Sequence, residues 1–98
     1  MTSFRELDPL LHSQLRLAIM SILISVDSAD FIYLREKTGA TAGNLSVQIG
    51  KLKEAGYISV SKSFGESYPQ TMCRITELGR QKFAEYVAAL GDYLRPEA

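Results

Sequence analysis

One histidine and one cysteine are the only imidazole and thiol in the 98 residues. His12 has no second His or Cys near it and lies four residues before Arg16, so it offers neither the paired ligands of a metal centre nor a base with an orienting partner. Cys73 alternates with Thr71 and Ile75 in a short β-compatible run, the setting of a packed side chain rather than of an exposed, acidified sensor thiol. The sequence carries no phosphate-binding loop, no dinucleotide glycine fingerprint and no paired-histidine zinc motif. The expectation is a protein that binds rather than catalyses, with no metal and no cofactor. The usable chemistry lies instead in Thr41, Asn44, Ser46, Gln48 and Lys51, interleaved with Gly43, Val47 and Gly50. Amides and hydroxyls of this kind can bond to base edges or phosphates, and an ammonium can contact a phosphate. A valine can touch a thymine methyl, while glycines let a backbone approach closely.

Those residues need a helix to present them. Thr41 reads as its start, Leu45, Ile49 and Leu52 fall at i, i+4 and i+7, and Gly56 is a left-handed terminator, so a helix is expected over 41–56. With the three apolar residues inward, Gly43, Ser46, Val47, Gly50 and Glu54 face outward and Asn44 and Lys51 lie on a flank. A helix start can also receive a phosphate. Upstream, Asp8-Pro9 reads as the start of a long amphipathic helix with the stripe Leu11, Leu15, Ile19, Ile22 and Val26, stopping near residues 25–28. Asp30 then caps a short helix that turns Phe31 and Leu34 inward and ends at Gly39. Helix, short glycine-containing turn and helix are the cues of a helix-turn-helix unit.

Beyond Gly56 the period changes to two, with Ile58, Val60 and Lys62 on one face and Tyr57, Ser59 and Ser61 on the other. A second strand is expected over Thr71–Ile75, joined to the first by a Gly- and Pro-containing loop over residues 65–70. Thr76 then caps a last helix carrying Leu78, Phe83, Val87, Leu90 and Leu94. The order is helix, helix, helix, hairpin, helix in one α+β, mostly helical domain over residues 1–98.

Composition agrees with an ordinary soluble domain, since 46 % of residues are hydrophobic and 22 % charged. No run of about 18 apolar residues could span a bilayer. The polar opening lacks a signal-peptide pattern and a lone cysteine suits a reduced compartment, so a cytoplasmic location and no membrane contact are expected. The net charge is zero, but it is unevenly spread. Acidic residues outnumber basic ones before residue 35 and after residue 74, whereas Arg35, Lys37, Lys51, Lys53, Lys62 and Arg74 face only three acids in between. Only that centre could attract phosphate.

Three segments, Thr41-Ala42-Gly43-Asn44-Leu45-Ser46, Leu52-Lys53-Glu54-Ala55-Gly56-Tyr57-Ile58 and Arg74-Ile75-Thr76-Glu77-Leu78-Gly79-Arg80, occur in an order and spacing that resembles the small MarR/ArsR-type winged helix-turn-helix transcriptional regulators. The opening Leu7 to Leu17 is similar to the first helix of that group. The resemblance implies a homodimer on double-stranded DNA, acting as a repressor, with the third helix in the major groove and a wing over residues 64–70 on the backbone. Candidate contacts are Thr41, Gly43, Asn44, Ser46, Val47, Gln48 and Lys51 from the helix and Lys62, Tyr68, Gln70 and Arg74 from the wing and its flanks. The wing departs from the family by carrying Glu66, Ser67, Tyr68 and Gln70 where basic residues are common. That departure keeps open a second reading, a winged helix used as a protein-interaction or assembly module. Leu11, Leu15, Val87, Leu90, Tyr93 and Leu94 are candidates for a dimer surface or, alternatively, for the monomer's core. Helices of this kind can also leave a cleft for a small-molecule effector, which no residue identifies.

Overall fold

The segment Asp8-Pro9 closes a turn rather than starting the first helix. In the computed structural model, which describes residues 3–64 and 69–96, Asp8 Oδ1 accepts from Leu10 N at 2.9 Å and Asp8 O accepts from Leu11 N and His12 N at 3.1 and 2.8 Å. Proline followed by a closed turn satisfies the same local signals as a helix N-terminus. Helix α1 (Gln14–Val26) begins after an extended Ser13. Its buried side is wider than the expected stripe, of which Leu11, Leu15, Ile19 and Ile22 do pack in or against the core. Ile19, Met20 and Leu23 are buried, while Val26 is exposed.

Helix α1 ends at Asp27, whose positive φ of 70° turns the chain into strand β1 (Ser28–Asp30). This strand was not expected from the sequence. It pairs antiparallel with β3 (Pro69–Ile75), and Ile75 N donates to Asp27 O at 3.2 Å just beyond the ladder. Helix α2 (Phe31–Thr38) starts where Asp30 Oδ1 accepts from Tyr33 N at 2.7 Å, buries Leu34, and ends at a left-handed Gly39. Helix α3 (Ala42–Glu54) follows, with Leu45, Ile49 and Leu52 buried, and Gly56 at a φ of 83° closes it.

Strand β2 (Ile58–Phe64) pairs antiparallel with β3 from Ile58↔Ile75 to Phe64↔Pro69, giving a three-stranded sheet in the order β1-β3-β2. Strand β3 thus starts two residues earlier than expected. Pro69 takes the first position, where a strand tolerates a residue without an N–H. Helix α4 (Glu77–Leu94) is capped by Thr76, whose Oγ1 accepts from Gly79 N at 3.0 Å and donates to Gly56 O at 2.6 Å. That pair of bonds ties the start of α4 to the end of α3.

The core is one cluster beneath the helices. Leu11, Ile19, Met20, Leu23, Leu34, Leu45, Leu52 and Cys73 are fully buried within it. In α4 the inward line runs through Gly79, Phe83, Tyr86 and Leu90, at i, i+4, i+7 and i+11. Leu78, Val87 and Leu94, expected on the apolar face, are exposed. Four helices with a three-stranded antiparallel sheet make this an α+β winged helix fold. Among the described residues, no helix is long and apolar enough to cross a membrane.

Candidate nucleic-acid interface

Helix α3 is held from behind and open in front. Three buried aliphatic residues fix one side, Thr41 Oγ1 accepts from Asn44 N at 3.2 Å at its start, and Gly43, Asn44, Ser46, Val47, Gly50 and Lys51 are exposed. Val47 keeps 55 % of its surface accessible, which leaves an apolar contact available at the middle of a polar face. Lys51 and Lys53 occupy the last turn, where cations suit the helix dipole.

Gln48 is placed differently from its neighbours. It is half-buried against α1, and its Oε1 accepts from Arg16 Nη1 at 2.5 Å. Its Nε2 donates to Asn44 Oδ1 at 3.0 Å. Arg16 Nε donates in turn to Leu10 O at 2.6 Å. The structure therefore brings Asn44 and Gln48 together and adds Arg16, to which sequence reasoning assigned no role. Arg16 and Gln48 are 32 residues apart, so no local pattern could have revealed the contact. Beside this group a cleft of about 420 Å³ is lined by Ser13, Leu15, Thr38, Ala40, Asn44 and Gln48 among others.

The wing residues are spread over two faces. Register sets Lys62 opposite Thr71, on the same side of the strands as Val60 and Cys73, whereas Gln70 and Arg74 alternate onto the other side. Lys62 and Arg74 are both exposed, but a backbone lying on one face of the hairpin meets only one of them. Arg74 stands between Ser28 on β1 and Ser59 on β2. Gln70 is half-buried opposite Ser63. Tyr68, with Gly65, Glu66 and Ser67, lies outside the described residues.

The expected dimer residues divide as well. Leu11 is fully buried in the core cluster and has no surface to give a second copy, and the Asp8 turn holds it there through Leu11 N on Asp8 O. Leu15 and Leu90 are half-buried against the core. Val87, Tyr93 and Leu94 remain exposed at 51 %, 42 % and 71 %. Tyr93 is also engaged within the chain, since its Oη donates to Arg5 O at 2.6 Å and its ring lies 5.2 Å from that of Phe4. Arg5 grips the same helix end through both oxygens of Asp92 and through Ala88 O at 2.9 Å.

His12 and Cys73 have structural surroundings. His12 Nδ1 lies 2.9 Å from the hydroxyl of the buried Tyr86. Cys73 is fully buried between Ala29 and Val60, and burial, with the Asp30 charge, pushes its thiol up to about 11. A thiol so held is protonated and unreactive at neutral pH.

Comparison with known proteins agrees with this geometry. Residues 15–94 match the family model described as a winged helix DNA-binding domain. The chain is 34 % identical over 76 residues to an uncharacterised protein of Methanocaldococcus jannaschii, covering 78 % of this chain and 83 % of that one. Among solved structures it is similar to a transcriptional regulator homologue from Pyrococcus horikoshii, with a TM-score of 0.83, 25 % identity and coverage of 89 % of this chain and 86 % of that one. The YusO protein of Bacillus subtilis shares the fold at a TM-score of 0.73 and 14 % identity, over 92 % of this chain and 60 % of that one. With four-fifths of its length matched to the family model, the chain belongs to the winged helix DNA-binding domain family.

Proposed function

We propose that this protein is a sequence-specific transcriptional regulator of the MarR/ArsR type. Helix α3 enters the major groove of double-stranded DNA and the wing over residues 64–70 rests on the backbone. The observation that carries this reading is the open face of α3: hydrogen-bonding, small and apolar groups are exposed together on a helix locked to the core by Leu45, Ile49 and Leu52. The regulator acts as a homodimer through α4 and represses by occupying its site, as a cytoplasmic protein without a catalytic centre. A small-molecule effector would take the cleft beside Asn44 and Gln48.

The zero net charge and the wing's shortage of basic residues favour a second reading, a protein-interaction or assembly module. The two part in a single titration. Purified protein is titrated against a labelled duplex from its own upstream region and an unrelated duplex at several salt concentrations, beside a variant with Asn44, Gln48 and Lys51 all changed to Ala. Tighter binding to the upstream duplex, with a log–log salt slope of about −0.9 per neutralised phosphate, is expected of a regulator. The triple variant should lose that preference while keeping its unfolding transition. Equal or absent binding to both duplexes moves the weight to the interaction module.

A further inference from the structure

The three side chains Arg16, Gln48 and Asn44 form a relay with a fixed direction. Arginine has five N–H donors and no acceptor, so whatever meets its guanidinium must present oxygen. Arg16 is half-buried and anchored by Nε on Leu10 O, a carbonyl in the chain segment closed by the Asp8 turn. Its Nη1 therefore dictates that Gln48 turns Oε1 inward. The Gln48 Nε2 is then left to face Asn44, and Asn44 must answer with Oδ1. Both amide orientations follow from the chemistry of one residue.

What remains for an incoming ligand is unbalanced. Asn44 keeps both Nδ2 hydrogens free, Gln48 keeps its second Nε2 hydrogen, and one lone pair of Asn44 Oδ1 is already used. An unconstrained asparagine can rotate its amide to match either donor or acceptor edges. This one has its oxygen turned to Gln48, which puts its Nδ2 donors on the side away from that bond.

We infer that Arg16 is a positioning residue that sets the hydrogen-bond polarity of the Gln48–Asn44 pair, so that α3 selects acceptor-bearing base edges and rejects cytosine at the position facing Asn44. This inference rests on the reading of α3 as the helix that enters the groove. Guanine offers O6 and N7, thymine offers O4, and cytosine offers only the N4 donor in the major groove. Arg16 itself touches no base; it acts through Gln48.

Selection from a randomised duplex library tests this on the full chain, with the wild type, Arg16→Met, Arg16→Lys and Gln48→Glu, each checked for a cooperative unfolding transition. The wild type should deplete cytosine at one position by about fivefold or more. Arg16→Met should lose that depletion at that position alone and keep its salt slope, while Arg16→Lys, also a pure donor, should retain it. Gln48→Glu needs no change at the half-buried arginine. Its carboxylate accepts from both Arg16 and Asn44 Nδ2, turns Asn44 Oδ1 outward, and should shift the preference to bases with a donor, cytosine N4 or adenine N6. Enrichment of cytosine by the wild type, or an unchanged preference in both Arg16→Met and Gln48→Glu, overturns the inference while the DNA-binding reading stands. So does a salt slope that falls by about 0.9 in Arg16→Met with base preferences intact, which would make Arg16 a phosphate contact. A wild type that selects no sequence removes the reading of α3 and the inference together.

Discussion

Gly79 shows how one atom can set the spacing of two elements. A Cβ at this position would lie 2.0 Å from Tyr57 O, the carbonyl that accepts from Thr76 N at 3.1 Å where α4 leaves the sheet. In the sequence this glycine reads as a flaw in a helix, whereas in the fold it lets α4 touch the backbone before β2. Gly79→Ala must push the helix away, and a loss of about 1–3 kcal/mol in urea unfolding is expected. Tyr57 and Asp92, together with the raised Cys73 thiol, add pH dependence. Burial, followed by the hydrogen bond to Asp8, pushes the Tyr57 phenol up to about 12. The phenol loses its proton more readily in the unfolded chain, so its contribution is intact below about pH 10 and is lost as pH rises through about 12. The hydrogen bonds from Arg5 lower Asp92 to about 2, so that contribution is present above the ordinary carboxylate range and is lost as pH falls toward 2. Unfolding measured across pH should show both limbs, with Tyr57→Phe removing the upper part of the alkaline one, whose lower part belongs to the buried Cys73 thiol, and Asp92→Asn flattening the acid one.

At the scale of elements, helix α3 was legible because everything that makes it is local. Thr41 caps it, Leu45, Ile49 and Leu52 bury it, and Gly56 ends it, all within one continuous stretch. Helices α2 and α4 were legible at their starts for the same reason, through Asp30 and Thr76. Strand β1 was not, since three residues have no period to read and exist as a strand only because β3 offers them a free edge. The start of α1 was misplaced because Asp-Pro serves a turn as well as a helix cap. The candidate interface was half legible on the same grounds. The exposed side of α3 follows from its own spacing, but the capture of Gln48 by Arg16 and the separation of Lys62 from Arg74 follow from pairings between distant segments. The local cap gives a clean test of how far the helix start matters. Thr41→Ala removes the acceptor for Asn44 N and should cost about 1 kcal/mol of stability. Because the loosened turn carries Asn44, the variant should also lose affinity for a selected duplex more than for a random one, read from paired titrations.

At the scale of the molecule, a neutral chain whose wing is short of basic residues gains DNA affinity most readily by doubling its contacts. The shape allows it. The described chain extends 56 × 25 × 21 Å, and 18-residue α4 carries Val87, Leu90 and Leu94 at i, i+3 and i+7 along one side. Val87 and Leu94 keep more than half their surface exposed, while Leu90 between them is half-buried against the core, so the line is anchored in the monomer at its middle and open at both ends. The N-terminal segment, clasped by Arg5–Asp92 and Tyr93, holds the helix end on a neighbouring side and leaves this line uncovered. A second copy pairing α4 with α4 would bury the line, and a dimer reading two successive major grooves needs its α3 helices about 34–36 Å apart, one helical turn of DNA. Val87→Asp combined with Leu94→Asp tests this without disturbing the core, because neither side chain is buried in the single chain. The expected outcome is a mass in solution reduced to one chain, an unchanged helical signal, and a salt slope for DNA binding cut to about half, since each protomer then meets its phosphates alone. A mass that stays at two chains would place the dimer surface elsewhere, and a wild type that already runs as one chain would require a single α3 and a sparse wing to supply all the affinity.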